Sequence, residues 1–208
     1  METTAHMFHE LFQRYPSLEG CKNDIFNAYS AICECFKKGG KVLCCGNGGS
    51  AADCDHFAGE LLKGFLKKRP LSADEKQQFE SDFIANNLQK GLPVVSLCSH
   101  TALMTAFGND AVPSLVFAQQ VYAFAKENDV LFCLSTSGNS ENIVYAAQTA
   151  KAAGIICIAI TGEKESELSE VCDICVRLPE TETYKIQELT LPVYHCMAAM
   201  IEDIFFEE

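Results

Sequence analysis

Residues 41–60 combine a glycine-rich turn with two side chains that can move protons or bind a metal ion. The segment reads KVLCCGNGGSAADCDHFAGE: a short apolar run at 42–45, the turn at 46–50 and then a helical pattern. Glycines let the backbone approach a ligand closely, and the amides at a helix N-terminus attract anions. His56 and Glu60 are four residues apart, so they share one helix face, at least a turn and a half beyond the anion site. The pattern predicts a phosphorylated small molecule with chemistry a few bonds from its phosphate.

A second turn of the same kind, STSGNS at 135–140, follows another apolar run. The hydroxyls of Ser135, Thr136, Ser137 and Ser140 lie beside a predicted helix N-terminus, where they can donate to a terminal phosphate. Either turn alone could simply be a helix cap, because Ser, Thr and Asn favour that position. Two such turns on parallel strands face one crevice, and together they favour a phosphate site.

The first turn also allows a different interpretation. GNGGSA matches the dinucleotide fingerprint G-x-G-x-x-A, which is a weak signal on its own. A dinucleotide site calls for an acidic residue at the end of the next strand, and here Ser99 and His100 stand there. We therefore prefer a phosphate site.

The rest of the chain alternates apolar strands with helices. Strands are predicted at 42–45, 93–98, 129–134, 155–161 and 174–178. Helices are predicted over 2–38 with a break near residues 15–17, from the first turn to about 66, and at 73–88, 101–107, 112–126, 141–153, 164–168 and 183–206. Continuous apolar strands of this kind are typical of a parallel sheet covered on both faces.

These elements predict one α/β domain over residues 1–208, with a flavodoxin-like, doubly wound, five-stranded parallel sheet and ligands at the carboxyl ends of the strands. The helical segment 1–40 is longer than the sheet needs for cover, so we expect it to pack against another subunit. The polar stretch 67–90 is predicted to pass over the sheet edge or the active site.

The composition narrows the class of protein. The 208 residues carry a net charge of −12, which argues against nucleic acid or an anionic membrane as the main partner. No signal peptide is predicted, and no apolar run approaches the roughly 20 residues that span a membrane. Most of the twelve cysteines lie in apolar runs, which predicts reduced, buried thiols in a cytoplasmic protein. Cys172 and Cys175 form a single CxxC, for which a structural strand over VCDICVRL is a simpler interpretation than a zinc site.

Taken together, GNGGS-x5-HFA-x-E and LSTSGNS-x-N resemble the sugar isomerase (SIS) domain. With the terminal IQELTLPVYH, the chain is most similar to the phosphoheptose isomerase group, which converts sedoheptulose 7-phosphate to D-glycero-D-manno-heptose 7-phosphate. The resemblance covers nearly the whole chain. It implies a doubly wound α/β sheet, additional helices at both ends and a homotetramer with active sites between subunits.

The resemblance also implies roles for particular residues. Glu60 and His195 would be the catalytic acid–base pair, and zinc, which some members bind, would be held by His56, Glu60, Gln187 and His195. The substrate would be bound by Asn47, Gly48, Ser50, Ser135, Thr136, Ser137, Ser140 and Gln187. Without the resemblance, a core histidine is the simpler interpretation of His195. His56 could simply be a satisfied polar residue of its helix, and Glu60 could cap the helix or pair with Lys63.

Two positions depart from the family pattern. His100 stands where members usually have an Asp that contacts substrate hydroxyls, and Tyr184 lies near a common acid. These changes leave the identity of the sugar open. They also motivate a second hypothesis, a non-enzymatic SIS protein that senses a phosphosugar or binds a partner such as a replication-initiation protein. The retained Glu60, Gln187 and His195 favour the enzyme, and no basic helix-turn-helix segment is present for a DNA-binding regulator.

Overall fold

A five-stranded parallel sheet forms the centre of the molecule. The structure is a computed structural model that describes residues 4–206, so the predicted helical residues 2 and 3 and the ends of the predicted domain lie outside the described residues. The strands are β1 (Val42–Gly46), β2 (Val94–Ser96), β3 (Val130–Leu134), β4 (Ile156–Thr161) and β5 (Ile174–Arg177). Their order is β2-β1-β3-β4-β5, and all neighbours are parallel. This is the flavodoxin-like order, and the predicted fold class is confirmed.

Helices cover both faces of this sheet. They are α1 (Thr4–Arg14), α2 (Lys22–Lys37), α3 (Gly49–Leu62), α4 (Ala73–Lys76), α5 (Asp82–Asn87), α6 (Thr101–Asp110), α7 (Val116–Phe124), α8 (Glu141–Ala152), α9 (Glu167–Val171) and α10 (Thr183–Phe205). Side chains of α1, α2, α3 and α10 share one core, and those of α7 and α8 share the other. In β1, Val42 and Cys44 enter the first core while Leu43 and Cys45 enter the second. The strand is therefore apolar at successive positions. Within the described residues, no helix is long and apolar enough to span a membrane.

Helix α3 ends at Leu62, four residues earlier than predicted. The amides of Phe65, Leu66 and Lys67 donate to the carboxylate of Glu202 in α10, at 2.7–3.0 Å. Those N–H groups are therefore not available for further helical hydrogen bonds. The helix is ended by a partner more than a hundred residues away, which local periodicity cannot reveal.

Two other predicted helices are divided. Over 73–88, Ser72 caps α4 and Ser81 starts a separate helix, α5, by accepting from the Ile84 amide at 3.4 Å. Over 112–126, the helix proper begins at Val116. Val112 is extended before Pro113, as the residue preceding a proline usually is, and a 3-10 turn follows.

Two strand predictions were too long. The second predicted strand stops at Ser96, because the Leu97 carbonyl accepts from the Gln120 side chain at 3.1 Å and a 3-10 turn follows. The fifth strand begins at Ile174, as predicted, so the first part of the CxxC segment VCDICVRL, which was also interpreted as strand, lies outside it. The first residue of that segment, Val171, belongs to α9, which a capping box at Ser166 initiates. The break between α1 and α2, a 3-10 turn at Pro16–Cys21, lies where it was predicted.

Candidate active site

The site lies at the carboxyl ends of β1 and β3. In the strand order observed, β1 and β3 are the pair at which the order reverses, and a doubly wound sheet opens a crevice there. The two polar turns predicted to bind phosphate follow these two strands and end at the N-termini of α3 and α8. Both helix N-termini therefore direct their partial positive charge towards the same crevice.

The first turn depends on glycine for its shape. Gly48 has a φ of +56°, which disfavours a residue with a side chain. At Gly46 a Cβ atom would lie 2.6 Å from the Ser50 carbonyl oxygen. Ser50 itself is buried in the first turn of α3. The glycines thus bring the chain tightly around Ser50.

The second turn has the same dependence. Gly138 has a φ of +67°, and a Cβ there would lie 2.1 Å from the Ser166 hydroxyl. The Ser135 hydroxyl donates to Ser140 at 3.4 Å. Ser137 is exposed, and its hydroxyl accepts the Asn139 amide at 3.1 Å. Ser137 therefore serves the turn itself.

Two asparagines join the turns. The side-chain amides of Asn47 and Asn142 exchange two hydrogen bonds of 2.9 Å each across 95 residues of sequence. Sequence reasoning gave Asn142 no role, although it is the final residue of the LSTSGNS-x-N motif. A reciprocal amide pair holds the two turns at a fixed separation, which an anion bound by both requires.

A cavity of about 280 Å³ opens between the turns. It is lined by Asn47, Gly48, Gly49, Ser50, Leu134, Ser135, Thr136, Ser140, Thr183 and Gln187. Of the predicted substrate-binding residues, Ser137 is the one absent from its wall. No lysine or arginine lines this cavity within the described residues, so an anion would be held by amides, hydroxyls and helix N-termini.

Gly49, which has no side chain, leaves space in the cavity wall for the Gln187 side chain. A Cβ at Gly49 would lie 2.6 Å from the Gln187 Nε2 atom. The contact pairs the first turn of α3 with the first turns of α10, which are far apart in the sequence. It also places Gln187 on the cavity side, so its predicted role in a metal site stays a prediction.

We predict that Gly49→Ala weakens phosphosugar binding without unfolding the protein. Alanine favours a helix over glycine by about 1 kcal/mol, but its methyl group would displace the Gln187 side chain. KM for the substrate should rise about tenfold, and Tm should change by only a few degrees. Steady-state kinetics and thermal melts measure the two effects. Gly59→Ala, in the same helix and with open space around the position, is the matched control, and an equal rise in KM there would contradict the prediction.

Helices α3 and α10 run side by side in the same direction. Gly49 meets Gln187 at their N-terminal ends, and seven residues later in each helix His56 meets Tyr194. Seven residues correspond to about 10 Å along a helix. Each helix therefore lines the cavity with a polar side chain near its N-terminal end, Ser50 in α3 and Gln187 in α10, and carries a second polar side chain about 10 Å further along.

That second group is a cluster of His56, Glu60 and His195. Nε2 of His56 lies 3.0 Å from Oε1 of Glu60 and 3.5 Å from Nε2 of His195. One donor atom from each residue lies within 4.8 Å of the others. The Glu60 side chain is only 13% exposed, while that of His56 is 45% exposed. The cluster thus presents a shielded carboxylate and two imidazoles to an open side.

Residues behind the cluster orient His56. The Tyr194 hydroxyl lies 2.9 Å from Nδ1 of His56 and 3.3 Å from the Asp53 carboxylate. Burial, and next the Asp53 carboxylate, raise the pKa of Tyr194, so this hydroxyl remains a hydrogen-bond donor. Burial, with a smaller contribution from His56, lowers the pKa of His195. His195 is therefore neutral near pH 7 and can accept a proton.

The donor set fits a zinc ion. Zn–N distances of about 2.0–2.1 Å with tetrahedral angles place neighbouring donor atoms roughly 3.3 Å apart, close to the separations of 3.0 and 3.5 Å observed. A ligating histidine commonly bonds a polar group through its other ring nitrogen, and Tyr194 supplies that group for His56. Tyr194 and Asp53 were not predicted from the sequence, because their role depends on the alignment of α3 with α10.

A buried ion pair fixes the end of α3 that carries Glu60. Arg69 and Glu202 are 1% exposed, and Nε of Arg69 lies 2.8 Å from Oε1 of Glu202. The Arg69 guanidinium also donates to the backbone carbonyls of Leu61 at 2.7 Å and Glu60 at 3.2 Å. Because Glu202 belongs to α10, the pair holds Glu60 in register with His195.

The remaining predictions concern the second subunit, His100 and Tyr184. His195 and Gln187 reach α3 within one chain, so these contacts need no second subunit, and the predicted contribution of a neighbouring subunit stays a prediction. His100 follows β2, and its Nδ1 atom lies 2.5 Å from Oε1 of Gln120. Tyr184 is 58% exposed in the first turn of α10. Neither His100 nor Tyr184 is in the cavity wall.

Comparison with known proteins agrees with this geometry. A model of the SIS domain family matches residues 16–162. The phosphoheptose isomerase of Rhodospirillum rubrum is 37% identical over 186 residues, which are 89% of this chain and 88% of that relative. The solved phosphoheptose isomerase of Francisella tularensis superposes with a TM-score of 0.76 at 31% identity over 93% of each chain. That of Neisseria gonorrhoeae gives a TM-score of 0.73 at 31% identity over 95% of this chain and 96% of the other.

Proposed function

The chain belongs to the phosphoheptose isomerase family of SIS-domain proteins, and we propose that it isomerises sedoheptulose 7-phosphate to D-glycero-D-manno-heptose 7-phosphate. The observation that carries the proposal is the placement of an anion cavity and a His/Glu/His cluster about 10 Å apart on two aligned helices. A sugar phosphorylated at its far end can fill that distance, with its phosphate in the cavity and its carbonyl at the cluster.

Glu60 and His195 perform the proton transfers in this proposal. Aldose–ketose isomerisation removes a proton from the carbon beside the carbonyl and returns one to the former carbonyl carbon, through an enediol. The Glu60 carboxylate takes the carbon-bound proton, since its shielded position keeps it desolvated next to the substrate. His195, whose pKa is lowered by burial, exchanges protons with the two sugar oxygens or returns the proton.

The phosphate is held by the two turns. The hydroxyls of Ser50, Ser135, Thr136 and Ser140 and the amides of both helix N-termini surround the cavity. Ser137 would contact the phosphate from the rim, since it is exposed beside the cavity-lining residues of the same turn and its hydroxyl, which accepts the Asn139 amide, still has a proton to donate. Gln187 then contacts the sugar between the phosphate and the cluster.

Turnover of the predicted substrate is the test of the function. The purified full chain should convert sedoheptulose 7-phosphate to the aldose heptose 7-phosphate, and it should leave unphosphorylated sedoheptulose unchanged because the cavity is then unfilled. Binding of the heptulose phosphate without any aldose product would contradict the proposal. That result would instead support the non-catalytic phosphosugar-sensing alternative, which the comparisons do not favour.

We further propose that zinc binds at the cluster. His56, Glu60 and His195 would hold it. The resemblance implies Gln187 as a fourth ligand, but its side chain lies against Gly49 in the cavity wall, so the three cluster residues carry this proposal. A metal ion there would polarise the sugar carbonyl. His56→Ala should reduce bound zinc at least tenfold, as measured by elemental analysis of protein purified without chelator. His9→Ala, on the exposed face of α1, should retain it. Equal zinc content in both variants would remove the metal from the proposal.

The assembly proposed is a cytoplasmic homotetramer in which segment 1–40 forms subunit contacts. An apolar groove of about 340 Å³ supports a contact there, because it lies between α1 and α10 and reaches His195. It is lined in part by Met7, Leu11 and Phe65. A second subunit on this groove would enclose the reacting end of the sugar. Light scattering should give four chain masses, and a mass of one chain at micromolar concentration would contradict this.

A further inference from the structure

A row of four thiols crosses the sheet on the face opposite α3 and α10. Cys45 in β1, Cys133 in β3 and Cys157 in β4 point into the core beneath α7 and α8, and Cys172 follows α9. Successive Sγ atoms are 3.6, 3.9 and 3.2 Å apart, and the shortest separation joins Cys157 to Cys172. None of these thiols lines the candidate active site, so the function proposed above makes no use of them.

One end of the row reaches solvent. Cys45, Cys133 and Cys157 are fully buried, whereas Cys172 is partly exposed. A small oxidant dissolved in water therefore meets Cys172 first. The thiol directly behind Cys172 is that of Cys157, at 3.2 Å.

The backbone holds these two cysteines together. The amide of Asp173 donates to the Cys157 carbonyl at 2.9 Å, and the Cys157 amide donates to the Asp173 carboxylate at 2.8 Å. Both contacts fix the chain beside Cys172 against β4. Cys172 itself lies between α9 and β5, outside a regular element, so its side chain can move without breaking a helix or strand.

The chemical states of the two thiols differ. Thiols of Cys133 and Cys157 can donate to a Cys172 thiolate, and this lowers the pKa of Cys172; nearby Lys151 acts in the same direction, while burial and Asp173 oppose it. Cys157 has a pKa raised above that of an ordinary thiol, with the Cys172 sulfur and burial among the causes that raise it. The thiolate is the nucleophile in cysteine chemistry. Cys172 is thus the sulfur that attacks an oxidant first. Cys157 remains a thiol until Cys172 has been oxidised beside it.

We propose that Cys172 and Cys157 form a hydroperoxide-oxidisable pair that closes to an intramolecular disulfide. The Cys172 thiolate attacks one oxygen of hydrogen peroxide, the O–O bond breaks, and hydroxide leaves and takes up a proton as water. The Cys172 sulfenic acid is then attacked by the Cys157 sulfur. The S–S bond forms, the S–O bond breaks, and the hydroxyl leaves as water with the Cys157 proton. Two thiols lose two electrons in all, and one peroxide is reduced to two waters.

Little movement of the two sulfur atoms is needed to form this disulfide. A disulfide requires an S–S distance of about 2.05 Å, so the two sulfurs must approach by roughly 1 Å from 3.2 Å. The CxxC spacing alone would instead pair Cys172 with Cys175. Cys175 lies within β5, and its sulfur contacts the Thr161 hydroxyl at 3.6 Å. The contacts therefore favour Cys157 over the cysteine that is closer in sequence.

Tryptic peptides distinguish the two pairings. Cleavage after Lys151, Lys164 and Arg177 places Cys157 in peptide 152–164, and both Cys172 and Cys175 in peptide 165–177. The reduced full chain is treated with a few equivalents of hydrogen peroxide, its remaining thiols are alkylated, and the digest is analysed by mass spectrometry. We expect peptides 152–164 and 165–177 to be joined through Cys172, with the join lost on reduction.

Three variants complete the test. Cys172→Ser should abolish the join, and the neighbouring control Cys175→Ser should retain it in full. Cys157→Ser should leave a Cys172 sulfenic acid that dimedone traps, which tests the first step separately. The proposal is overturned by a disulfide within peptide 165–177, by a disulfide between two chains, or by other cysteines being oxidised while Cys172 stays reduced.

Discussion

Replacing Glu60 with glutamine should lower kcat for the heptulose phosphate by about 10²–10⁴-fold, which is the usual contribution of a general base. Glutamine keeps the size of the side chain and can still accept a hydrogen bond from His56, 3.0 Å away. It cannot take a proton from carbon. KM should change much less than kcat, because Glu60 follows Ser50 of the cavity wall by ten residues, which is about 15 Å along α3.

A surface glutamate provides the control for this substitution. Glu188 is exposed beside Gln187 in α10, and Glu188→Gln makes the same chemical change away from the cluster. Its kcat should stay within about twofold of the unaltered protein, as surface changes usually have small effects. If Glu60→Gln kept full activity, another group would be the base, and the mechanism proposed here would be wrong even if the isomerase activity were found.

Arg69→Met should destabilise the protein by roughly 3–5 kcal/mol, the usual cost of breaking a buried ion pair by removing one partner. Methionine is of similar length but leaves Glu202, which is 1% exposed, without its cation. It also leaves the Leu61 and Glu60 carbonyls without their guanidinium donor. Because the last turn of α3 is then less constrained, kcat should fall as well. Urea unfolding and steady-state kinetics measure the two effects.

A double variant separates the buried charge from the loss of packing. Glu202→Gln keeps an oxygen that can accept the amides of residues 65–67, but it removes the charge that Arg69→Met leaves unpaired. The double variant should therefore be more stable than Arg69→Met alone. The exposed pair Lys90–Glu75, at 2.9 Å, is the matched control, and Lys90→Met should change stability little. Equal losses of stability in Arg69→Met and Lys90→Met would contradict the interpretation that the buried Arg69–Glu202 pair fixes the end of α3.

Local patterns were sufficient for the sheet and for the two turns. Strands β1 and β3 are buried on both faces, so their residues are apolar without interruption, and this signal does not depend on distant parts of the chain. The turns at 46–50 and 135–140 require glycine at Gly48 and Gly138, where φ is positive. Such requirements can be read from the residues themselves, and they place an anion site at the switch point once the strands are parallel.

Element lengths could not be read in the same way. The end of α3 depends on Glu202, whose carboxylate binds amides 135–137 residues away in sequence. The start of α5, within the polar stretch 67–90, depends on Ser81, and the end of β2 depends on Gln120. In each case a side chain forms a hydrogen bond with a backbone N–H or C=O group that the periodic pattern assigns to the interior of a helix or strand. The boundary of the element is therefore set by that side-chain contact.

The sequence by itself determined that this chain has two polar turns after parallel strands and a helix with His56 and Glu60 on one face. Spacing within an element sets those relations. The tertiary structure alone decided that His195 lies 3.5 Å from His56, that Gln187 fills the space left by Gly49, and that Cys172 meets Cys157. These pairs join segments that are distant in sequence and come together only when the elements pack. How the elements pack depends on the fit of whole surfaces, and a local pattern of residues does not contain that information.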